Sequence, residues 1–160
     1  MATNRGTIDQ YLGRTVDFVA FQGLQATGDR PLTMSLTELN QGGLVVTGPQ
    51  KVAQRFLLEF LREKGSMPLR PAGGTDFITE ARLGYLRTAI DVTGAFARAV
   101  VDIKSTLSGE ESDSDPDDER FADATLEGVS VTGTNAVLRV RIATRAGTSR
   151  DFIFPIPVMV

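Results

Sequence analysis

The stretch PQKVAQRFLLEFLREKGSMPLRPAGGTDF, residues 49–77, sets an amphipathic helix against a stiff bend. Apolar residues recur at spacings of three and four, which predicts a helix with one buried face over residues 49–64. That face consists of Val52, Ala53, Phe56, Leu57, Phe60 and Leu61. Pro49 suits the first turn, and Gly65 is predicted to stop the helix in the left-handed conformation. The helix therefore supplies one side of the predicted core.

The bend that follows, GSMPLRPAGGTDF, packs three glycines and two prolines into thirteen positions, 65–77. Prolines fix φ and glycines permit turns, so the segment is predicted to be a rigid connector. Asp76 is predicted to cap the next helix. Arg70, held in so stiff a frame, loses little further freedom on pairing. These features indicate a fixed intermolecular contact rather than a mobile lid.

The rest of the chain predicts an α+β fold, with two or three helices packed on an antiparallel or mixed β-sheet. Helical spacing predicts helices, separate or as one broken helix, and alternation predicts strands. The helices cover residues 77–90 and 93–107, and the strands cover residues 15–24, 44–47, 124–131, 135–144 and 150–158, with a further short strand within 25–43. The chain is predicted to be one compact domain, an N-terminal β elaboration (1–48) on an α+β core (49–160).

The chain contains no cysteine and no histidine. Disulfides, thiolate nucleophiles, Ser/His pairs and the usual nitrogen and sulfur ligands of zinc are therefore excluded. We predict a protein that is not an enzyme and has no cofactor; a glycan hydrolase built on a pair of carboxylates is kept as an alternative. No apolar run approaches the roughly 20 residues that span a bilayer, and the start has no secretory signal, so no membrane partner is predicted.

The net charge of −3 is unevenly distributed. Seven acids and no base lie within residues 110–119, while the remainder holds 13 acids and 17 bases. A solvated loop is predicted for residues 108–119, because almost no apolar side chain is present to repay the entropy of ordering it. Docking of this loop on a basic neighbour is an alternative.

Calcium is a weaker alternative for the acidic loop. Asp113, Asp115 and Asp117 have the 1, 3, 5 spacing of an EF-hand, but Asp118 and Ala124 stand where that loop needs Gly and Glu. No metal is therefore predicted.

Nucleic acid is likewise not predicted as a partner. Arg139, Arg141 and Arg145 could form a basic stripe, but no aromatic residue interleaves with them.

The C-terminal segment FIFPIPVMV, residues 152–160, is apolar and carries Pro155 and Pro157. Strands that contain proline are confined to sheet edges, because proline cannot donate to the ladder. Phe152, Phe154 and Ile156 either pack into the body of the protein or belong to an open edge that a strand from another chain completes. Both interpretations are open from the sequence.

The segment QRFLLEFLREKGSMPLRPAGGTDF, residues 54–77, resembles the small baseplate wedge proteins, or sheath initiators, of contractile phage tails, which are related to a baseplate component of type VI secretion systems. Their pattern is an amphipathic helix with a double leucine, a Gly-Glu-rich turn, and then Met-x-Pro-x-x-Gly-[ST]-Asp-[LF]. The residues that carry the resemblance are Leu57, Leu58, Gly65, Met67, Arg70, Pro71, Gly74, Thr75, Asp76 and Phe77. A later Glu-Pro-Arg element of the family has its counterpart in Glu119 and Arg120, without the proline.

The resemblance covers roughly residues 50–158 and implies a structural protein of the virion, made in the host cytoplasm and present in several copies, six by the symmetry of the tail. Its implied partners are other wedge proteins and the tail sheath protein, with the tail tube or hub as further candidates. The predicted contact residues are Pro68, Arg70, Pro71, Gly74, Asp76, Glu119, Arg120, Phe152, Phe154 and Ile156. A neck or tail adaptor is the alternative within the same class of protein.

Overall fold

The computed structural model describes residues 12–18, 33–35 and 44–158. In chain order the elements are β1 (Asp17–Phe18), β2 (Thr33–Ser35), β3 (Leu44–Val46), α1 (Gly48–Phe60), α2 (Phe77–Arg82), α3 (Ala89–Glu110), a 3-10 turn (Asp117–Glu119), β4 (Phe121–Thr132), β5 (Asn135–Thr144) and β6 (Ser149–Pro157). They form two antiparallel sheets, ordered β1-β3-β2 and β4-β5-β6. Helices packed with antiparallel strands confirm the predicted α+β class.

The strand predicted over residues 15–24 begins at Asp17 instead of Thr15. Only Asp17 and Phe18 are in strand conformation, and residues 19–24 lie outside the described residues. The predicted strand at residues 44–47 is confirmed as Leu44–Val46, and Thr33–Ser35 falls where a further short strand is predicted. The described pieces of residues 1–48 thus form a small sheet that leads directly into α1.

Helix α1 begins as predicted, with Pro49 in its first turn, but it ends at Phe60 instead of Lys64. The residues after Phe60 form backbone hydrogen bonds with the far end of the bend instead of continuing the helix. Thr75 donates its backbone N–H to Arg62 O at 2.8 Å, and Lys64 donates to Thr75 O at 3.1 Å. These bonds form a short parallel bridge between residues 63 and 75. Gly65 has the predicted left-handed conformation, with a φ of +75°, but the helix is ended before it by this tertiary contact.

The prediction of one helix over residues 77–90 is wrong in its length. Helix α2 stops at Arg82, and Gly84 follows it with a φ of +73°, which ordinary residues rarely adopt. Asp76 occupies the predicted cap position, but its side chain makes no capping hydrogen bond.

Helix α3 starts at Ala89, earlier than the predicted residue 93 and ahead of Gly94, and runs to Glu110. Its start is set by a capping box, in which Thr88 and Asp91 exchange side-chain and backbone hydrogen bonds. These bonds from Thr88 lower the pKa of the Asp91 carboxyl. The two predicted helices are therefore separate and not one broken helix.

The C-terminal sheet has the predicted strands and the predicted single buried face. Along β5, burial alternates, with Ala136, Leu138, Val140 and Ile142 inside and Val137, Arg139 and Arg141 outside. Helix α3 lies along β4 and covers part of this inner face. Alternation of period two was sufficient to assign these faces, because a strand buried on one side admits only one register.

The centre of the core is aromatic. Phe60 contacts Phe77 with ring centroids 4.4 Å apart, and Phe56 stacks on Phe121 at 5.7 Å. Phe96 meets both rings of α1, so that α1, α2, α3 and β4 share one cluster. Truncating such a buried phenylalanine to alanine costs about 3–5 kcal/mol. This cluster places the bend and the acidic segment on a common rigid base.

Candidate partner-binding surfaces

The bend is locked to the end of α1 by Gly74 and Thr75. Gly74 has a φ of +89°, and a Cβ added there would lie 2.8 Å from the carbonyl oxygens of Arg62 and Glu63. Thr75 is fully buried, and its Oγ1 donates to Phe60 O at 2.9 Å. Only glycine fits the first position, because a methyl group would collide with backbone. Gly74, a predicted contact residue, is therefore buried and shapes the bend.

A buried glutamate, Glu59, holds the middle of the bend. Its carboxylate accepts from Gly74 N at 2.9 Å and from Arg62 Nη1 at 2.7 Å, and Arg70 Nη2 lies 3.2 Å away. Arg70 also pairs with Glu110 at the end of α3. Arg70, predicted to bind a partner, is thus engaged within its own chain, although a third of its side chain remains exposed.

The accessible part of the bend is its tip. Pro68 and Pro71 at the tip are exposed, as is Asp76 at the start of α2, but contact with a partner at these three residues stays a prediction. Leu69, which was not among the predicted residues, has 94% of its surface exposed. The turn beneath it is held by backbone bonds from Arg70 N to Met67 O and from Gly73 N to Arg70 O, both 3.0 Å. Its position between two prolines was the signal that could have singled out this leucine.

Glu119 lies beside the start of α1 and is buried, with no exposed side-chain surface. Its carboxylate accepts from Thr15 N at 3.0 Å, from the Thr15 hydroxyl, and from Thr47 Oγ1 at 2.6 Å. Lys51 Nζ is 3.4 Å away, and Arg14 Nη1 is 3.5 Å away. Glu119 therefore fastens residues 14–15 and the start of α1 to the start of β4.

The pKa of the Glu119 carboxyl reflects two opposed effects. Burial raises the pKa, but the hydrogen bonds from Thr15 and Thr47 and the charge of Lys51 outweigh burial, so the net pKa is lowered. Glu119 is accordingly ionised and occupied by its own chain. A contact between this side chain and another wedge protein stays a prediction that the burial of the carboxylate does not favour.

The acidic segment is only in part the solvated loop predicted for residues 108–119, since residues 112–114 are exposed and in no helix or strand. Residues 108–110 belong to α3, and Asp117–Glu119 form the 3-10 turn. The Glu111 side chain is 1% exposed; it accepts from Phe121 N at 2.5 Å and lies 3.2 Å from Arg145 Nη2. The segment folds because its acids find internal partners, which its composition alone could not reveal.

Arg120 is the second cation that organises the acidic segment. It lies 3.1 Å from Asp113, 3.7 Å from Asp117 and 3.8 Å from Glu111, and 13% of its side chain is exposed. Acids of this segment are thus paired with a cation of their own chain, and docking of the loop on a basic partner stays a prediction. Contact of Arg120 with a separate wedge protein remains a prediction.

The calcium alternative finds no support in the described residues, which contain no cluster of three acids able to hold a metal ion. Asp113 instead pairs with Arg120, and Asp118 pairs with Arg14 at 2.7 Å.

Among the described residues, no helix combines the length and the apolar character that a membrane span requires.

The predicted arginine stripe is largely neutralised. On the outer face of the C-terminal sheet, Arg141 binds Asp151 at 2.8 Å and Glu127 at 3.2 Å, and Arg145 pairs with Glu111. Arg139 alone of the three makes no ion pair with the described residues within 4 Å. Arg139 nevertheless acts on Asp151, whose pKa is lowered mainly by the hydrogen bond from Arg141 and further by the charges of Arg141 and Arg139. A stripe compensated in this way does not form the basic surface on which nucleic-acid binding depends.

Phe152, Phe154 and Ile156 of β6 have exposures of 2%, 5% and 2%. Their side chains pack in the chain's own core, as the first of the two sequence interpretations states. In this structure they are therefore not available to a partner, and a partner of β6 could reach only its backbone and outer face. Partner binding at this strand stays a prediction.

Comparison of the chain with models of protein families, with curated proteins and with solved structures finds no match.

Proposed function

We propose that this chain is a structural wedge protein in the baseplate of a contractile phage tail. In this role it nucleates the sheath by accepting a strand from the first sheath ring, and it contacts neighbouring wedge proteins, without catalysis. The observation that carries the proposal is the three-stranded meander β4-β5-β6, whose two outer strands each have one side without a strand partner among the described residues. Such edges offer main-chain hydrogen bonds to another polypeptide.

The bend supports the same proposal. The residues that carry the resemblance to wedge proteins include Gly74, Thr75 and Phe77, which fix the loop against α1 and the core. The loop then presents Pro68, Leu69 and Pro71 at an exposed tip. A rigid loop with an exposed apolar tip suits a permanent protein contact, because little entropy remains to be lost on docking.

The proposed partners are other wedge proteins, the sheath protein, and the tail tube or hub. We propose six copies around the tail axis, since a ring subunit adopts the symmetry of its ring. Location in the virion follows from this role.

The test is deletion of the gene from the phage that encodes it, followed by electron microscopy of the particles. We expect tail tubes without polymerised sheath, and recovery of sheathed tails when the wild-type chain is supplied in trans. Intact baseplates with normal sheath in the deletion strain would refute the role. Tails that are complete but detached from heads would instead favour the neck adaptor, and cell-wall hydrolysis by the purified chain would favour the glycan hydrolase.

A further inference from the structure

The two edges of the C-terminal sheet differ in their backbone donors. Backbone groups of successive residues in a strand point to opposite sides. In β6, Phe154 and Ile156 pair with Leu138 and Ala136 of β5, and just beyond the strand Val158 N donates to Thr134 O at 2.8 Å. The even-numbered residues of β6 therefore face β5, and the odd-numbered residues face away.

Pro155 and Pro157 fall at these outward positions. They cost the ladder with β5 nothing, but they remove two N–H donors from the free edge. A strand added to β6 would find both donor and acceptor only at Ser149, Asp151 and Ile153, and no outward donor along residues 155–157. The prolines protect this edge against pairing, which is a known way to guard an exposed strand.

The outer edge of β4 is not protected against strand pairing along residues 128–132, either by proline or by charge. The sequence there is GVSVT, with no proline and no charge. Thr132 pairs with Asn135 across the two-residue turn, so the backbone groups of Ser130 and Thr132 face β5. The N–H and C=O groups of Val129 and Val131 consequently face away from the sheet.

The burial of the inner-face side chains also differs between the two edge strands, and this difference does not depend on the backbone donors. On β6 they are buried to 5% exposure or less, so an added strand would cover nothing there. On β4, Leu126, Val129 and Val131 pack against the core yet stay only half-buried. Coverage of these three apolar side chains gives a hydrophobic gain that β6 cannot offer.

We propose that the edge of β4 at residues 128–132, and not the edge of β6, receives the foreign strand. The occupant is an extended segment of another polypeptide, without proline in its paired residues and with apolar side chains on the face that covers Leu126, Val129 and Val131. Its backbone exchanges hydrogen bonds with Val129 and Val131. Assignment of this segment to the sheath rests on the proposed function, whereas the choice of edge rests on the described residues.

The decisive variants are prolines at matched outward positions, Val131→Pro on β4 and Ile153→Pro on β6. Neither removes a bond to β5, so both are expected to fold, which far-UV circular dichroism and urea unfolding check. Val131→Thr keeps the N–H and serves as the control for loss of the valine side chain. When supplied to the deletion strain, Val131→Pro is expected to leave tails without sheath, while Ile153→Pro and Val131→Thr restore sheath.

The outcomes separate the two proposals. If deletion abolishes the sheath but Val131→Pro restores it, the β4 assignment is wrong and the wedge role stands. If deletion leaves tails normal, the wedge role fails, and a binding assay decides the edge. Its probes are synthetic ten-residue peptides that tile the termini of proteins encoded by neighbouring genes, measured by fluorescence anisotropy with the purified chain.

In this assay we expect one peptide to bind, to protect residues 126–132 from hydrogen exchange, and to lose about tenfold in affinity with Val131→Pro, the size of one lost hydrogen bond. Protection of residues 150–157, or binding by no peptide, would overturn the β4 assignment. Concentration-dependent dimerisation that Val131→Pro removes would show that the occupant is a second copy of this chain, and would also overturn the proposal.

Discussion

The bend at residues 65–76 and the acidic segment at residues 111–120 both depend on a buried glutamate, but the two glutamates have different reach. Glu59 binds groups no more than 15 residues away, which makes the bend a local unit. Glu119 binds groups 68 to 105 residues away and fastens the N-terminal strand region to the body. Similar chemistry therefore stabilises a loop in one place and a tertiary junction in the other.

The largest expected effect comes from breaking the long-range glutamate. Glu119→Ala is expected to lower the free energy of unfolding by about 3–5 kcal/mol, because it leaves Lys51, with 10% of its side chain exposed, as an uncompensated buried charge. Urea unfolding measures the loss. Asp113→Ala is the control, since the Asp113 side chain is fully exposed. A loss below about 1 kcal/mol would show that Glu119 does not fasten the junction.

Adding a methyl group at Gly74 tests how closely the bend packs on the end of α1. Gly74→Ala is expected to cost about 2–3 kcal/mol, because the new Cβ meets two carbonyl oxygens and the residue keeps a positive φ. Gly133→Ala is the matched control: Gly133 also has a positive φ, of +56°, but no atom lies within 4 Å of an added Cβ. Equal losses in the two variants, measured by thermal unfolding, would show that crowding at Gly74 is not important.

Neutralising the local glutamate is expected to have a smaller and confined effect. Glu59→Gln keeps an acceptor for Gly74 N but loses the charge that faces Arg62 and Arg70, at a cost of about 1 kcal/mol. Hydrogen exchange is expected to rise within residues 65–76 and to stay unchanged at residues 12–18. Faster exchange in both regions would mean that the bend is not an independent unit.

The pH dependence of stability is expected to differ between the wild-type protein and Glu119→Gln. Because the folded pKa of Glu119 is below its ordinary value of 4.5, its ionised form stabilises the protein fully above that pH, and the stabilisation is lost as the pH falls through the folded pKa. The difference in unfolding free energy between wild type and Glu119→Gln is expected to be constant at neutral pH and to shrink below pH 4.5. A difference that grows in acid would contradict a lowered pKa.

The smallest expected change in stability is at the tip of the bend. Leu69→Ser is expected to alter the free energy of unfolding by less than about 0.5 kcal/mol, because the leucine is 94% exposed. The same variant is expected to reduce incorporation of the chain into baseplates, as measured by quantitative mass spectrometry of purified particles. Normal incorporation would remove Leu69 from the contact surface.

Secondary structure and buried faces can be predicted from the sequence where they follow a local periodicity. The inner face of α1 and the alternation in β5 are short-range patterns, and both predictions are correct except at Leu61, which follows the helix and is exposed. The end of α1 was missed because bonds from Thr75 determine it, and these appear only when the bend folds back. The early start of α3 follows from a capping box between Thr88 and Asp91, a pattern that is local in the sequence.

The candidate site was less accessible to prediction than the fold. Glu119 stands among six other acids, and its burial depends on hydroxyls of Thr15 and Thr47, which no spacing rule connects to it. Arg70 was singled out for a partner, although Glu59 and Glu110 neutralise it within the chain. Composition reports which residues carry charge, while only tertiary structure reports which charges remain unpaired.

The fixed turn beneath Leu69 has a kinetic consequence for assembly. A loop that must order itself during an encounter loses about 1–2 kcal/mol of backbone entropy for each residue it fixes, and many collisions then end without capture. Here the backbone frame is set beforehand, so a collision has only a few side chains left to immobilise, chiefly those of Leu69 and Met67. Recruitment through this tip is therefore expected to proceed as the docking of two rigid bodies, with a rate limited by orientation.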